Sequence, residues 1–176
     1  MKLRIRNWHI VGTVFIILFG TILHFVYEWS NNNTFVGIFG AVNESTWEHL
    51  KLLFWPALFF SIFEYLLIGK YFNNYITAKA ISLYVGLLLI ISLFYTYTGI
   101  LGRHYLAVDI AIFIISVMIS QNIGYRITTS NDKVSRIGNI ISLIAIIILI
   151  IAFGLFTFNP PQIPLFKDPS SGDYGI

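Results

Sequence analysis

The sequence has no cysteine, and only 11% of its 176 residues are charged. The first absence excludes disulfides and thiolate metal ligands. The second excludes an ordinary soluble domain, in which about a quarter of residues carry charge. A basic tract suited to nucleic acid is also missing, and the formal net charge is only +3, so no nucleic-acid partner is expected. Proline is scarce outside the tail: Pro160, Pro161, Pro164 and Pro169 are four of the five.

Apolar sequence fills the space that charge leaves. Hydrophobic residues make up 57% of the chain, mean hydropathy is +0.78, and apolar runs of about 20 residues recur, which is the length a helix needs to cross a bilayer. These runs predict an all-α, polytopic transmembrane helical bundle over residues 1–157. The expected spans are Trp8–Trp29, Ser45–Gly69, Tyr75–Leu101, His104–Gln121 and Ile137–Phe156. The basic, apolar start MKLRIRNWHIVGTVF is not followed by a small-x-small cleavage site and reads as an uncleaved first helix. Ser45 and Glu48 have the S-x-x-E spacing of a capping box at the start of the second span.

Lysine and arginine set the expected orientation. With the N-terminus cytoplasmic, Lys2, Arg4, Arg6, Lys70, Lys79, Arg126, Lys133 and Arg136 fall inside, eight of the eleven basic residues. The positive-inside rule then predicts N-in, C-out, in a multi-pass protein of the cell membrane whose first partner is the lipid bilayer. Residues 158–176 form an extracytoplasmic Pro-rich tail, and Ile163, Leu165 and Phe166 suggest that it lies back on the outer face. A disordered tail is the alternative.

Within this topology the few polar groups gather at one depth. His24 and Glu28 are four apart near the outer end of the first span, so a continuous helix puts both on one face. The stretch AVNESTWEHLK places Glu44, Glu48 and His49 at the outer start of the second span, and the fourth span opens with His104 and Asp109. The last two are five apart, about 140° around a regular helix, and share a face only if His104 precedes the helix. Ionisable side chains in membrane segments are costly and normally face the bundle interior or a water-filled cavity.

Imidazole and carboxylate together are the ligand types of zinc and of non-haem iron or manganese. The expected ligands of one divalent metal, zinc foremost, are therefore His24, Glu28, His49, His104 and Asp109, with Glu48 or Glu44 as general base. That chemistry suits a metal-dependent membrane hydrolase acting on a lipid or a membrane-delivered substrate. Each residue also has a structural reading: a capping box at Ser45 and Glu48, Glu28 paired with Lys51, Asp109 paired with Arg103. Two other functions remain open, a small transporter or ion-coupled permease working as a homo-oligomer, and a non-catalytic binding or assembly protein whose polar groups lock helices together. Glu64, deeper in the second span, is expected to pair with Lys79 or a tyrosine, or to serve as an inner proton relay.

At HFVYEWS…AVNESTWEHLKLLFWP and PPQIPLFKDPSSGDYG the sequence resembles a family of small, uncharacterised prokaryotic integral membrane proteins, a domain of unknown function. The resemblance spans nearly the whole chain. It implies a multi-helix membrane protein and brings no activity or catalytic residue with it. A weaker similarity, to membrane hydrolases that include the alkaline ceramidases, carries no residue across, because this chain lacks their late H-x-x-x-H pair.

Overall fold

The computed structural model describes residues 2–176. Helix α1 (Lys2–Leu23) is followed by two short helices, α2 (Val26–Trp29) and α3 (Thr34–Gly37). Then come α4 (Thr46–Leu67), α5 (Tyr75–Leu101), α6 (Leu106–Thr128) and α7 (Arg136–Phe158). Five of these, α1, α4, α5, α6 and α7, are long and apolar enough to cross a membrane. Among the described residues there is no strand, only an isolated bridge between Lys167 and Tyr174 in the tail.

Of the expected spans, the third, now α5, has the bounds read from sequence. The first does not: it ends at Leu23, and a turn at His24 and Phe25 separates it from α2. The fourth span, α6, runs on past Gln121 to Thr128. Helix α4 continues through Pro56, whose missing N–H interrupts one backbone bond without ending the helix. Helix α5 stops at Gly102, which takes the left-handed φ of 71° that closes helices and that glycine adopts without strain.

Helix α4 lies at the centre, packed against α1 and α5, while α5 pairs along its length with α6 and also touches α7. The core between them is apolar: Ile16, Leu50, Leu53, Phe54, Leu87, Val117 and Phe153 are buried together. In lipid, the side of a helix that faces tails is as apolar as the side that faces other helices, so association depends on close packing and interhelical hydrogen bonds. Gly20 shows the first effect, because a Cβ there would sit 2.4 Å from the Leu52 carbonyl oxygen, so α1 and α4 approach too closely for any side chain. Ser82 shows the second, donating from Oγ to the Ser120 carbonyl of α6 at 2.7 Å. Helix α7 buries only the stripe Ser142, Ile146, Leu149, Phe153 and Thr157. The rest of its aliphatic surface is outward, as expected for a helix bordering lipid.

Irregular backbone between α1 and α4 folds over one end of the bundle. Lys51, fully buried, donates from Nζ to the carbonyls of Gly37 at 2.9 Å and Gly40 at 3.4 Å. Trp55 Nε1 donates to the Ile38 carbonyl at 2.9 Å, and the Val42 N–H donates to Glu48 Oε2 at 3.0 Å. Side chains of α4 thus satisfy loop groups that would otherwise be left unpaired away from water.

The tail closes the same end. Phe166 is buried against Trp47 and Phe156. The Ile176 N–H donates to the Thr157 carbonyl at 3.1 Å, and Asn43 Nδ2 donates to the Gly175 carbonyl at 3.2 Å. The tail therefore packs against the same end of the bundle as the loop before α4.

Candidate metal centre

Three of the sequence candidates meet at the end capped by the tail. His24 sits in the turn after α1, Glu44 in the loop before α4, and His49 in the first turn of α4. One ligand atom from each lies within 4.8 Å of the other two. Glu44 Oε2 is 3.4 Å from His49 Nε2 and 3.9 Å from His24 Nε2. The two imidazole rings stand edge to face with centroids 5.1 Å apart. Both rings are about one-third exposed and the Glu44 side chain about half exposed, so the group opens outward.

Local structure aims these atoms. His49 Nδ1 lies 2.9 Å from the Ser45 carbonyl oxygen. A carbonyl only accepts, so Nδ1 carries the proton and a neutral ring presents the lone pair of Nε2. That lone pair faces the carboxylate of Glu44. Two acceptors do not face one another at 3.4 Å at ease; the arrangement calls for a cation between them or a proton on the ring. A metal-binding histidine usually has its other nitrogen donating to a carbonyl or carboxylate, which sets the tautomer and the ring orientation. Zinc–ligand distances are about 2.0–2.2 Å for N and O, so tetrahedral partners lie about 3.4 Å apart. The Glu44–His49 pair, at 3.4 Å, is at that spacing, and the His24–Glu44 pair, at 3.9 Å, is wider.

Glu44 is itself held from behind. Its backbone N–H donates to Asp168 Oδ2 of the tail at 3.3 Å. Asp168 Oδ1 accepts from the Ser170 N–H at 2.7 Å and the Ser170 hydroxyl at 2.5 Å, and from the Ser171 N–H at 3.3 Å. Burial disfavours the charged form of Asp168, but these donors outweigh it and hold the carboxyl below its ordinary pKa.

The remaining candidates lie elsewhere. Glu28 is exposed on α2; the break after Leu23 removes the continuous helix that would have set it beside His24. Glu48 is buried, and its Oε2 accepts from Lys51 Nζ at 2.5 Å and from the Val42 N–H, so it fastens the loop and does not face the two rings. Lys51 therefore pairs with Glu48 and not with Glu28. Only half of the capping box forms: Ser45 Oγ accepts from the Glu48 N–H at 3.3 Å, while the Ser45 N–H donates to Asn43 Oδ1.

His104 does precede its helix, which starts at Leu106, and its Nδ1 comes 3.1 Å from Asp109 Oδ2. Tyr97 OH donates to Asp109 Oδ1, and Tyr97 also accepts from the Tyr105 N–H at 3.0 Å. Arg103 turns to the Tyr105 hydroxyl, at 2.6 Å, and not to Asp109. This second group, on the α5–α6 turn, is not part of the three-residue cluster, although Asp109 is close enough for its charge to act on His49.

A further polar constellation, at the opposite end of the bundle, exceeds what the sequence suggested. Glu64, Lys79, Tyr75 and His9 are all buried. Glu64 Oε2 is 2.7 Å from Lys79 Nζ and accepts from Tyr75 OH at 2.7 Å, so Glu64 pairs with both partners expected for it. His9 Nδ1 lies 3.1 Å from Glu64 Oε1 and 3.1 Å from the Ile5 carbonyl. Its Nδ1 proton points to the carbonyl, which leaves Oε1 without a hydrogen-bond partner. A lone histidine near a basic N-terminus gave no periodic signal linking it to a residue 55 positions away.

A family model described as a family of unknown function (DUF6512) matches residues 1–176. No curated protein and no solved structure matches the chain.

Proposed function

The chain belongs to DUF6512, a family of unknown function, and we propose that it is a multi-pass membrane protein that binds one divalent metal, zinc foremost, at His24, Glu44 and His49. The observation that supports this reading most is the facing of His49 Nε2 and Glu44 Oε2 across 3.4 Å, with Nδ1 of the same ring committed to the Ser45 carbonyl. Three protein ligands with an exposed fourth direction is the arrangement of catalytic zinc sites, whereas structural sites are closed by four. Bound there, a zinc ion would supply Lewis acidity and a water acidic enough to ionise near neutral pH. Glu44 is then a ligand and not a spare base.

The reaction class we favour is hydrolysis of a lipid or membrane-delivered substrate at the outer face, with the N-terminus inside. The two His rings and Glu44 hold the ion, Ser45 and Asp168 fix their orientation, and the exposed side admits substrate from the bilayer surface. Permeation through a single chain is disfavoured, because the apolar core around Leu53, Phe54 and Val117 fills the space between the polar groups at the two ends.

Full-length protein in lipid nanodiscs, loaded with one zinc per chain, tests the reaction against ester- and amide-linked lipids in the same bilayer. Product formation should track zinc occupancy, stop with chelator, and be absent in Glu44→Gln. Turnover that is independent of zinc, or its absence on every lipid class at full zinc occupancy, contradicts the hydrolase reading.

A further inference from the structure

A cleft of about 370 Å³ opens between α1 and α6 at the end of the bundle opposite the proposed metal centre. Arg6, His9, Gln121 and Asn122 line it together with the apolar Ile10, Val14 and Met118. The lining is graded. Arg6 stands at the rim near the start of α1, whereas Ile10 and Val14 lie one and two turns further along the same helix face. The cleft therefore offers a cation and amides at its rim and a hydrocarbon-lined trough beyond, which is the polarity profile of a phospholipid.

Two independent observations point to an occupant. Arg6 is exposed and makes no ion pair among the described residues, while Arg4 and Arg126 add positive charge at the same end. No Asp or Glu lines the cleft, and the nearby Glu64 is already engaged by Lys79. Gln121 is 5% exposed, and its Oε1 is buried without a hydrogen-bond partner. A buried amide oxygen left unpaired is uncommon and accepts a donor readily.

We propose that the α1–α6 cleft binds an anionic phospholipid, with its phosphate on the Arg6 guanidinium and Asn122 amide, a headgroup hydroxyl donating to Gln121 once its buried amide turns into the cleft, and an acyl chain along Ile10, Val14 and Met118. Guanidinium is suited to phosphate because its fork of N–H groups matches two oxygens at once. Basic recesses between membrane helices are a common seat for such headgroups. The site is independent of the metal centre and needs no zinc.

The test is native mass spectrometry of the full chain released from nanodiscs of phosphatidylglycerol and phosphatidylcholine in equal parts, with thermal stability measured in each lipid alone. Wild type should retain one phosphatidylglycerol per chain with at least tenfold preference, and phosphatidylglycerol should raise its Tm. Arg6→Gln should remove both the preference and the Tm shift, and Ile10→Trp, which fills the trough from an exposed position, should lower retention of the lipid. Equal retention of the two lipids, or an unchanged preference in both variants, overturns the proposal. Displacement of the lipid by millimolar inorganic phosphate would assign the cleft to a soluble anion and overturn it as well.

Discussion

The Nε2 of His49 lies 3.4 Å from Glu44 Oε2, and the other nitrogen of that ring lies 2.9 Å from the carbonyl of Ser45, the residue that caps α4. One helix start thus both orients an imidazole and spaces it from the carboxylate preceding it. Only four residues separate Glu44 from His49, and the non-helical Ser45 turns the chain so that they converge.

Loss of either histidine should abolish tight zinc binding. We expect His24→Ala and His49→Ala to weaken it by more than about 100-fold, beyond the loss usual for an outer partner. Glu28→Gln, His104→Ala and Asp109→Asn should retain it. Titration calorimetry on each folded variant checks the division between the two sets.

The buried pair Glu48–Lys51 should matter to stability and not to metal. Lys51→Met strands a buried carboxylate and should cost about 3–5 kcal/mol, whereas Glu48→Gln combined with Lys51→Met should regain the part due to the stranded charge and not the part due to the Gly37 and Gly40 carbonyls. Unfolding in detergent measures both. Equal losses in the single and double variants would contradict the pairing as the source of stability.

Tail docking should depend on pH in one direction. Asp168 has a folded pKa below its ordinary value, so its contribution is present above the ordinary aspartate range, about 3.9, and is lost as pH falls through the lower folded value. Hydrogen exchange of residues 166–176 should be constant from pH 7 to about 5, after correction for intrinsic rates, and rise in stronger acid. Asp168→Asn should expose the tail already at neutral pH.

Orientation can be read with single cysteines, because the chain has none of its own. Ser171→Cys should label from outside intact cells, and Asn131→Cys only after permeabilisation. The reverse pattern would place the metal centre on the cytoplasmic side.

Much of this fold was legible because hydropathy alone marks long apolar helices: Tyr75–Leu101 agrees at both ends. The end of α1 was not, since LHFVYEW holds no glycine, proline or other turn residue to mark it; in the structure Gly40 of the following loop packs close to the Leu23 carbonyl at that end. The turn there also separates Glu28 from His24, while Glu44 comes close to both rings. Glu48 and Lys51 looked like outer-face polar groups; their burial follows from the need of the Gly37 and Gly40 carbonyls for a donor. The His9–Glu64–Lys79 group was half visible. Glu64 stood out as a charge deep in a span, but its partners come from two other helices and no local pattern joins them.

The most direct test of the central claim is the metal content of the wild-type protein, extracted gently without chelator and measured as atoms per chain by elemental analysis. The account predicts about one zinc per chain, removed by chelator and restored by added zinc, and absent when His24, Glu44 and His49 are all replaced by alanine. A value near zero that persists after dialysis against zinc would contradict it.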